Sequence, residues 1–336
     1  MKKVLKVAGV ILAALVVVGV GCATYLVSTS DTRMSAPATP FPQLTASTDP
    51  AVIERGRYVA RTVGHCSQCH ADYPRSETQK NTDDAPLSGG IPFIMGPMGG
   101  TYAANLTPDP DTGIGKRTDA ELARTISTRV LADGRVSIFM RYSGANLSQD
   151  DIVAVVSYLR SLQPVKHEIP SGGLTTLGKL AFSMLEVNAD TSPPPVHVER
   201  SAEASLERGR YLVEGAALCV ACHTTYDPMT FAPVGPKAAG GSVEPSHGDD
   251  TDKEFVAPNL TADPKTGITG MLSEEQFLAR IRAGRVHLSS IMPWENFSRM
   301  DDSDLRSIYR YLRTLPPVEN DVGPTYRDAG WSKPAP

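Results

Sequence analysis

The pentapeptide Cys-x-x-Cys-His occurs twice, as Cys66-Ser67-Gln68-Cys69-His70 and as Cys219-Val220-Ala221-Cys222-His223. This spacing is the attachment signature of c-type haem. On a helical turn, residues three and four apart share a face. Thiols at i and i+3 can therefore form thioethers to one porphyrin edge while the histidine at i+4 turns its imidazole to the iron. Cys66, Cys69, Cys219 and Cys222 are the expected attachment residues, and His70 and His223 the expected iron ligands. The expected cofactors are two covalently bound haem c groups, and two haems imply electron transfer. Two other readings use the same cysteines. A zinc site would have to join two pairs far apart in sequence, and a redox dithiol expects a βαβ setting that the chain lacks. Neither explains a histidine after each pair. The chain has five cysteines, so only Cys22 falls outside the motifs and no pair remains for a disulfide.

The elements that carry these motifs begin with a basic start, Lys2, Lys3 and Lys6, before an uncharged run from Val7 to Val27. At about 1.5 Å per residue this run makes a helix about 31 Å long, enough for a bilayer core. Lysines before the span place the N-terminus in the cytoplasm and the rest on the periplasmic side of the inner membrane, as a single-pass protein. Haem c is attached outside the bacterial cytoplasm, so topology and cofactor agree. A cleaved signal peptide and a lipoprotein signal, with Gly19-Val20-Gly21-Cys22 as a weak lipobox, are the alternatives. Without the three lysines, the 33 basic residues fall to 30 against 37 acidic ones. That balance argues against nucleic acid as a partner.

The rest of the chain repeats after about 153 residues. Glu54-Arg55-Gly56-Arg57-Tyr58 recurs as Glu207-Arg208-Gly209-Arg210-Tyr211. The segment Asn105-Leu106-Thr107-Pro108-Asp109-Pro110-Asp111-Thr112-Gly113-Ile114 recurs as Asn259-Leu260-Thr261-Ala262-Asp263-Pro264-Lys265-Thr266-Gly267-Ile268, and Tyr158-Leu159-Arg160 recurs as Tyr311-Leu312-Arg313. The repeat is too long for a solenoid unit and marks two homologous domains with one haem each. The expected divisions are a cytoplasmic start at 1–6, a transmembrane anchor at 7–27 and a flexible tether at 28–48. Domains at 49–165 and 201–318 follow, joined by a linker at 166–200 and closed by a tail at 319–336. The linker holds Gly172-Gly173, Pro193-Pro194-Pro195 and a short helix near Leu174–Glu186. In the repeated Asn-Leu-Thr segment, turn formers dominate. It reads either as a loop packed on the haem edge or as one whose Asn105 and Asn259 hold propionates or backbone near the haem.

Each domain reads as short helices between long loops. A first helix spans Pro50–Gly64 and then Ala204–Gly215; a last helix spans Ser148–Leu162 and then Asp301–Leu315. Ser148 and Asp301 are expected N-caps, and Ile152, Val155, Val156 and Leu159 recur at helical spacing. Gly56 and Gly209 sit inside helices, where glycine costs about 1 kcal/mol relative to alanine. A close helix crossing against Tyr158 and Tyr311 would account for that. First helix crossing last helix over a glycine and an aromatic resembles the way class I cytochromes c close. The resemblance implies a mainly α fold, with an N-terminal transmembrane helix followed by two tandem class I cytochrome c-like domains.

It also implies a sixth iron ligand in the loop before each terminal helix, and methionine there favours electron transfer. Met292, in Ile291-Met292-Pro293, lies 69 residues after His223, and Met140 lies 70 residues after His70. Met140 is followed by Arg141 instead of proline, and Met95 and Met98 are rivals in a glycine-rich loop. His65, His167, His197, His247 and His287 read as surface or loop histidines, with His247 and His287 as possible substitutes for a methionine ligand.

The anchor, the tandem motifs and the repeated Asn-Leu-Thr segment together resemble the cytochrome c subunits of periplasmic alcohol, aldehyde and gluconate dehydrogenases. That group usually carries three haems; this chain has two motifs. The resemblance implies a membrane-anchored electron-transfer protein. Its expected partners are a dehydrogenase or quinol-oxidising complex on one side and another cytochrome or terminal oxidase on the other. A dihaem peroxidase or other oxidoreductase with an accessible first haem is the alternative.

Overall fold

The computed structural model describes residues 2–36, 43–71, 85–142, 147–184, 197–227, 232–245, 252–287 and 290–332. His247 and Pro193-Pro194-Pro195 lie outside them. The chain is mainly helical. Helix α1, Lys2–Ser28, leads, and its apolar span Lys3–Ser28 is largely exposed. It is long and apolar enough to cross a membrane; a membrane anchor and a signal sequence both meet that description. A short helix α2, Ser30–Arg33, follows. Beyond it the carbonyl of Met34 accepts from Val136 N at 2.8 Å and Ser35 bridges to Arg135. The stretch after the apolar helix therefore lies against the first half of the molecule.

In that first half, α3 spans Pro50–Tyr58, with proline in its first turn and the Asp49 carboxylate accepting from Ala51 N at 2.8 Å. Both features suit a helix start, where backbone donors have no intrahelical partner. The helix loosens into a π-turn at Val59–Val63, and α4, Ser67–His70, carries the first haem motif. Strands β1, Pro92–Ile94, and β2, Gly99–Tyr102, form a hairpin. Helix α5, Asp119–Thr128, starts on a Thr118–Glu121 capping box, and α6, Gln149–Ser161, on Ser148. Strand β3, Gly173–Leu174, joins the hairpin, and α7 spans Thr176–Ser183.

The second half repeats this order. Helix α8, Leu206–Tyr211, passes into a π-turn at Leu212–Ala216, and α9, Cys219–Cys222, carries the second motif. Strands β4, Val243–Pro245, and β5, Lys253–Val256, precede α10, Ile268–Met271, α11, Glu274–Arg282, and α12, Trp294–Phe297. Helix α13, Asp302–Leu312, is followed by β6, Tyr326–Asp328, which pairs with β5.

Two differences from the sequence reading have physical causes. The first helices reach Val63 and Ala216, about as expected, but each winds its last turn, ahead of the haem motif, as a π-turn. The two small antiparallel sheets were not anticipated. Their strands are too short to show a period of two, and each third strand comes from beyond the half's last helix, in the stretches read as linker and tail.

The helix crossing expected over glycine is present in both halves. A Cβ on Gly56 would lie 1.9 Å from the Ala154 carbonyl oxygen and 2.8 Å from Tyr158 Cβ. On Gly209 it would lie 2.0 Å from the Ser307 oxygen and 2.7 Å from Tyr311 Cβ. Glycine is what lets α3 meet α6, and α8 meet α13, at backbone contact. Ile152, Val155, Val156 and Leu159 of α6 are buried, as the spacing requires. Such side chains each contribute roughly 1.5–3 kcal/mol on full burial.

The halves are joined reciprocally. Tyr58 donates its hydroxyl to Asp304 at 2.8 Å and accepts Asp301 N at 3.0 Å. Tyr211 donates to Asp151 at 2.5 Å and accepts Ser148 N at 3.0 Å. Each tyrosine of the repeated Arg-Gly-Arg-Tyr segment thus caps the terminal helix of the other half. Asp301 makes no side-chain cap, unlike Ser148, although the backbone donor of each is met by a phenol of the other half. Each aspartate is also held from within its own half, Asp151 by Arg55 at 2.6 Å and Asp304 by Arg208 at 2.8 Å.

Candidate haem sites

The two attachment motifs fold alike. The residue before each has a left-handed backbone, His65 at φ 41° and Leu218 at φ 52°. That reversal turns the chain from the π-turn into the motif. Helical bonds then stack cysteine under histidine: His70 N donates to Cys66 O and His223 N to Cys219 O, both at 2.9 Å. The Cys66 thiol is pushed by burial up to about 11 and the Cys219 thiol up to about 12. These are not the acidified thiols of a redox dithiol. Converting them to thioethers removes the ionisable proton and suits their apolar surroundings.

Both histidines are oriented by the same device. His70 Nδ1 lies 2.8 Å from the Ala104 carbonyl, and His223 Nδ1 lies 2.8 Å from the Pro258 carbonyl. A carbonyl can only accept, so Nδ1 carries the proton and Nε2 presents its lone pair. Burial holds both imidazoles below the ordinary histidine range. A neutral ring with its far nitrogen fixed by a carbonyl is the form that binds metal.

Ala104 and Pro258 directly precede the asparagines of the repeated segment, and this is what that segment does. Asn105 Oδ1 accepts from Thr107 N at 2.9 Å and Thr107 Oγ1 at 2.7 Å, while its Nδ2 donates to Val165 O at 2.8 Å and Thr112 Oγ1 at 3.2 Å. Asn259 repeats this with Thr261, Val318 O at 2.7 Å and Thr266 Oγ1 at 3.0 Å. Asp109 and Asp263 close the turns by accepting from the backbone and hydroxyl of Thr112 and Thr266. Both amide hydrogens of each asparagine are thus used inside the protein. Of the two roles expected for Asn105 and Asn259, holding backbone fits and binding propionates does not.

In the second half the expected residues converge. Cys219, Cys222, His223 and Met292 all line one cavity of about 350 Å³, walled by Phe277 and Ile281 from α11 and by Leu305 and Ile308 from α13. The volume lies within the range of cofactor sites. Its donor set, two thiols, an imidazole and a thioether sulfur in an apolar cavity, fits haem c. The Met292 loop is braced by Arg285. Its guanidinium donates to the carbonyls of Ser290 and Met292, the latter at 3.3 Å, and pairs with Glu295 at 2.6 Å. In the first half, Cys66, Cys69 and His70 share one turn. Met140 stands at the matching place in the order of elements, in the 3-10 turn Phe139–Tyr142 between α5 and α6, with Phe139 against Phe93.

The other candidates have different surroundings. Met95 and Met98 belong to the β1–β2 hairpin, where Met98 O accepts from Thr175 N at 3.1 Å. His167 bonds Ser88 O at 3.1 Å, and His197 meets Asp150 at 2.5 Å. His287 stacks on Tyr326 with centroids 4.2 Å apart and lines the second cavity. His65, read as a loop histidine, is half-buried and lines the second cavity as well. Sequence reasoning missed the carbonyls of Ala104 and Pro258, the Arg285–Glu295 brace and His65. For the carbonyls a signal existed, because the repeated segment begins directly after them. Arg285 has a sequence counterpart in Arg135, because Gly134-Arg135-Val136 recurs as Gly284-Arg285-Val286, but Arg135 pairs with the exposed Asp133 at 2.7 Å; at the place of His65 the other half has Leu218.

No family model matches the chain. It is 30% identical over 293 residues to the cytochrome c subunit of a quinone-type alcohol dehydrogenase from Gluconacetobacter polyoxogenes, covering 83% of this chain and 59% of that protein. To the fructose dehydrogenase cytochrome subunit of Gluconobacter japonicus it is 33% identical over 291 residues, covering 83% and 55%. To a diheme cytochrome c-type protein of Cereibacter sphaeroides it is 26% identical over 268 residues, covering 76% and 83%. The chain thus spans less than two thirds of the dehydrogenase subunits it matches. The motif-based resemblance is borne out. The homologues of this chain are cytochrome c subunits of alcohol, fructose and gluconate dehydrogenases and a diheme cytochrome c. Each of these relatives is named as a cytochrome c or a cytochrome subunit, in agreement with the two attachment motifs of this chain.

Proposed function

We propose that this homologue of the dehydrogenase cytochrome c subunits is a membrane-anchored two-haem electron carrier of the periplasmic side. Each half is a class I cytochrome c-like domain, divided as the sequence repeat divides it, with His70 and Met140 on one iron and His223 and Met292 on the other. The observation that carries the reading is the matched pair of histidines. Each has Nδ1 tied to a carbonyl and Nε2 left to ligate, on the helical turn that holds its two cysteines. Met292 lines the same cavity as His223, which supports a closed second iron.

When bound, haem c supplies a one-electron couple. The chain supplies its fixation and its surroundings. Ala104 and Pro258 orient the imidazoles. The apolar walls exclude water, and Met140 and Met292 would hold the irons, keeping small molecules from them and raising the potential. Such a protein accepts electrons from a dehydrogenase or quinol-oxidising complex and passes them to another cytochrome or terminal oxidase. Single-pass anchoring through α1 in the inner membrane would hold it near such partners.

The test is a carbon monoxide titration of the reduced full-length holoprotein beside Met140→Ala and Met292→Ala. The carrier reading expects no binding to the native protein and about one carbon monoxide per chain in each variant. If the native protein already takes up one per chain and Met140→Ala adds none, the first haem is open. The peroxidase or oxidoreductase reading then replaces the carrier, with peroxide turnover as its check.

A further inference from the structure

The two haem motifs differ in their variable positions. The first holds polar residues, Ser67 and Gln68; the second holds Val220 and Ala221. The structure gives the polar pair a use. Asn296, on α12 four residues after Met292, is fully buried, and its side chain bonds to the other half. Its Nδ2 donates to Arg61 O at 2.6 Å and to Ser67 Oγ at 3.0 Å, and its Oδ1 accepts from Gln68 Nε2 at 2.7 Å. Both amide hydrogens are used, so the side chain is locked in a single orientation. Around a buried amide such a bonded cluster is rigid, and leaving the amide unpaired would be costly.

The contact sits between the two cofactor sites. Ser67 and Gln68 lie between Cys66 and Cys69, the thiols of the first site. One residue before Cys66, the His65 ring meets Phe297 edge-on with centroids 5.7 Å apart, and both side chains line the second cavity. The wall of the second site and the covalent anchor of the first are thus consecutive residues of one chain segment. On the other side of the junction, Asn296 and Phe297 belong to the turn that follows Met292.

We propose that Asn296 is the positioning residue of an inter-haem junction, fastening the first haem's attachment turn to the second haem's methionine loop, so that electrons pass between the haems there. The proposal rests on the two-haem reading given above. Asn296 contacts neither iron; it acts by holding Cys66 and Met292 in fixed relation. Electron exchange between the sites then depends on one buried amide, and a change at Asn296 is felt at both.

The test uses the full-length holoprotein with Asn296→Leu, Asn296→Asp and, as control, Tyr58→Phe, which loses an interface bond away from both motifs. Inter-haem transfer is followed optically after pulsed reduction, with haem content by pyridine haemochrome and methionine ligation by its far-red absorption band. The expected result is two haems per chain throughout. Transfer should slow by at least about tenfold in Asn296→Leu, because small displacements of a positioned pair are costly in rate. It should slow less in Asn296→Asp, which keeps the acceptor for Gln68, and stay near native in Tyr58→Phe. A native rate in Asn296→Leu with both haems present overturns the junction. Equal slowing in Asn296→Leu and Tyr58→Phe also overturns it, because the interface as a whole would then set the rate. A native protein with one haem per chain removes the two-haem reading itself, and the junction with it.

Discussion

At the scale of single residues, the proposed sites depend on side chains beyond the expected ligands. Arg285 is one of them. Its side chain is 8% exposed, pairs with that of Glu295 at 11% exposed, and spends its remaining donors on the carbonyls around Met292. Replacing one member of a buried pair leaves an uncompensated charge and costs about 3–5 kcal/mol. Arg285→Gln is therefore expected to lower stability and to weaken the far-red methionine band of one haem while leaving the other haem's spectrum unchanged. An unchanged band would show that Met292 is held by the cavity walls alone. The thiols and histidines stand out in the sequence because the spacing expected for haem attachment is set by covalent chemistry. Arg285 was not, because it acts through a loop whose shape no local pattern encodes. His65 was read as a loop histidine for a similar reason: its surroundings come from the other half.

Elements were legible where one period ran long enough. The burial of Ile152, Val155, Val156 and Leu159 on α6 follows from their spacing, and Gly56 and Gly209 pointed to the crossings because a helix has no other use for them. The strands were not legible. Those of the first sheet run two to four residues, and β3 pairs with residues far back in the chain. The crossings yield a direct expectation. A methyl group at Gly56 or Gly209 would meet backbone oxygen at 1.9 or 2.0 Å, and backbone cannot turn aside as a side chain does. Overpacking of this kind costs about 1–3 kcal/mol or more. Gly56→Ala and Gly209→Ala are expected near the upper end, lowering the thermal midpoint of the holoprotein by about 6–12 °C. A fall of less than about 2 °C in either would mean the helices can part without loss. The repeated Asn-Leu-Thr turn belongs to this scale too. It is an element whose purpose, aiming one carbonyl at a histidine, appears only when the halves are compared in three dimensions.

At the scale of the molecule, the repeat folds back on itself. Tyr58 reaches Asp304 and Tyr211 reaches Asp151, so equivalent residues exchange equivalent bonds, as in a twofold-symmetric dimer. Burial and the adjacent carboxylate push both phenols well above the ordinary tyrosine range, so they remain donors at any ordinary pH. Tyr58→Phe keeps the ring but strands Asp301 N, and Tyr211→Phe does the same to Ser148 N. Ser148 is fully buried, so Tyr211→Phe is expected to cost about 1–3 kcal/mol, the usual penalty of a buried polar group left unpaired; Asp301 is exposed, so Tyr58→Phe should cost about 0.5–1.5 kcal/mol. Asp304 and Asp151 keep their arginines, so neither variant should unfold. The combined variant carries the informative measurement. Sites without shared partners add within about 0.5 kcal/mol, whereas sites in one cooperative contact do not. Here the π-turns Val59–Val63 and Leu212–Ala216 pack against each other, directly after Tyr58 and Tyr211. The halves should therefore open as one unit. Chemical denaturation of the native, single and double variants is expected to give a coupling energy above about 0.5 kcal/mol. Strict additivity would mean that the two contacts yield independently, and that the halves move against each other more freely than a fixed inter-haem geometry allows.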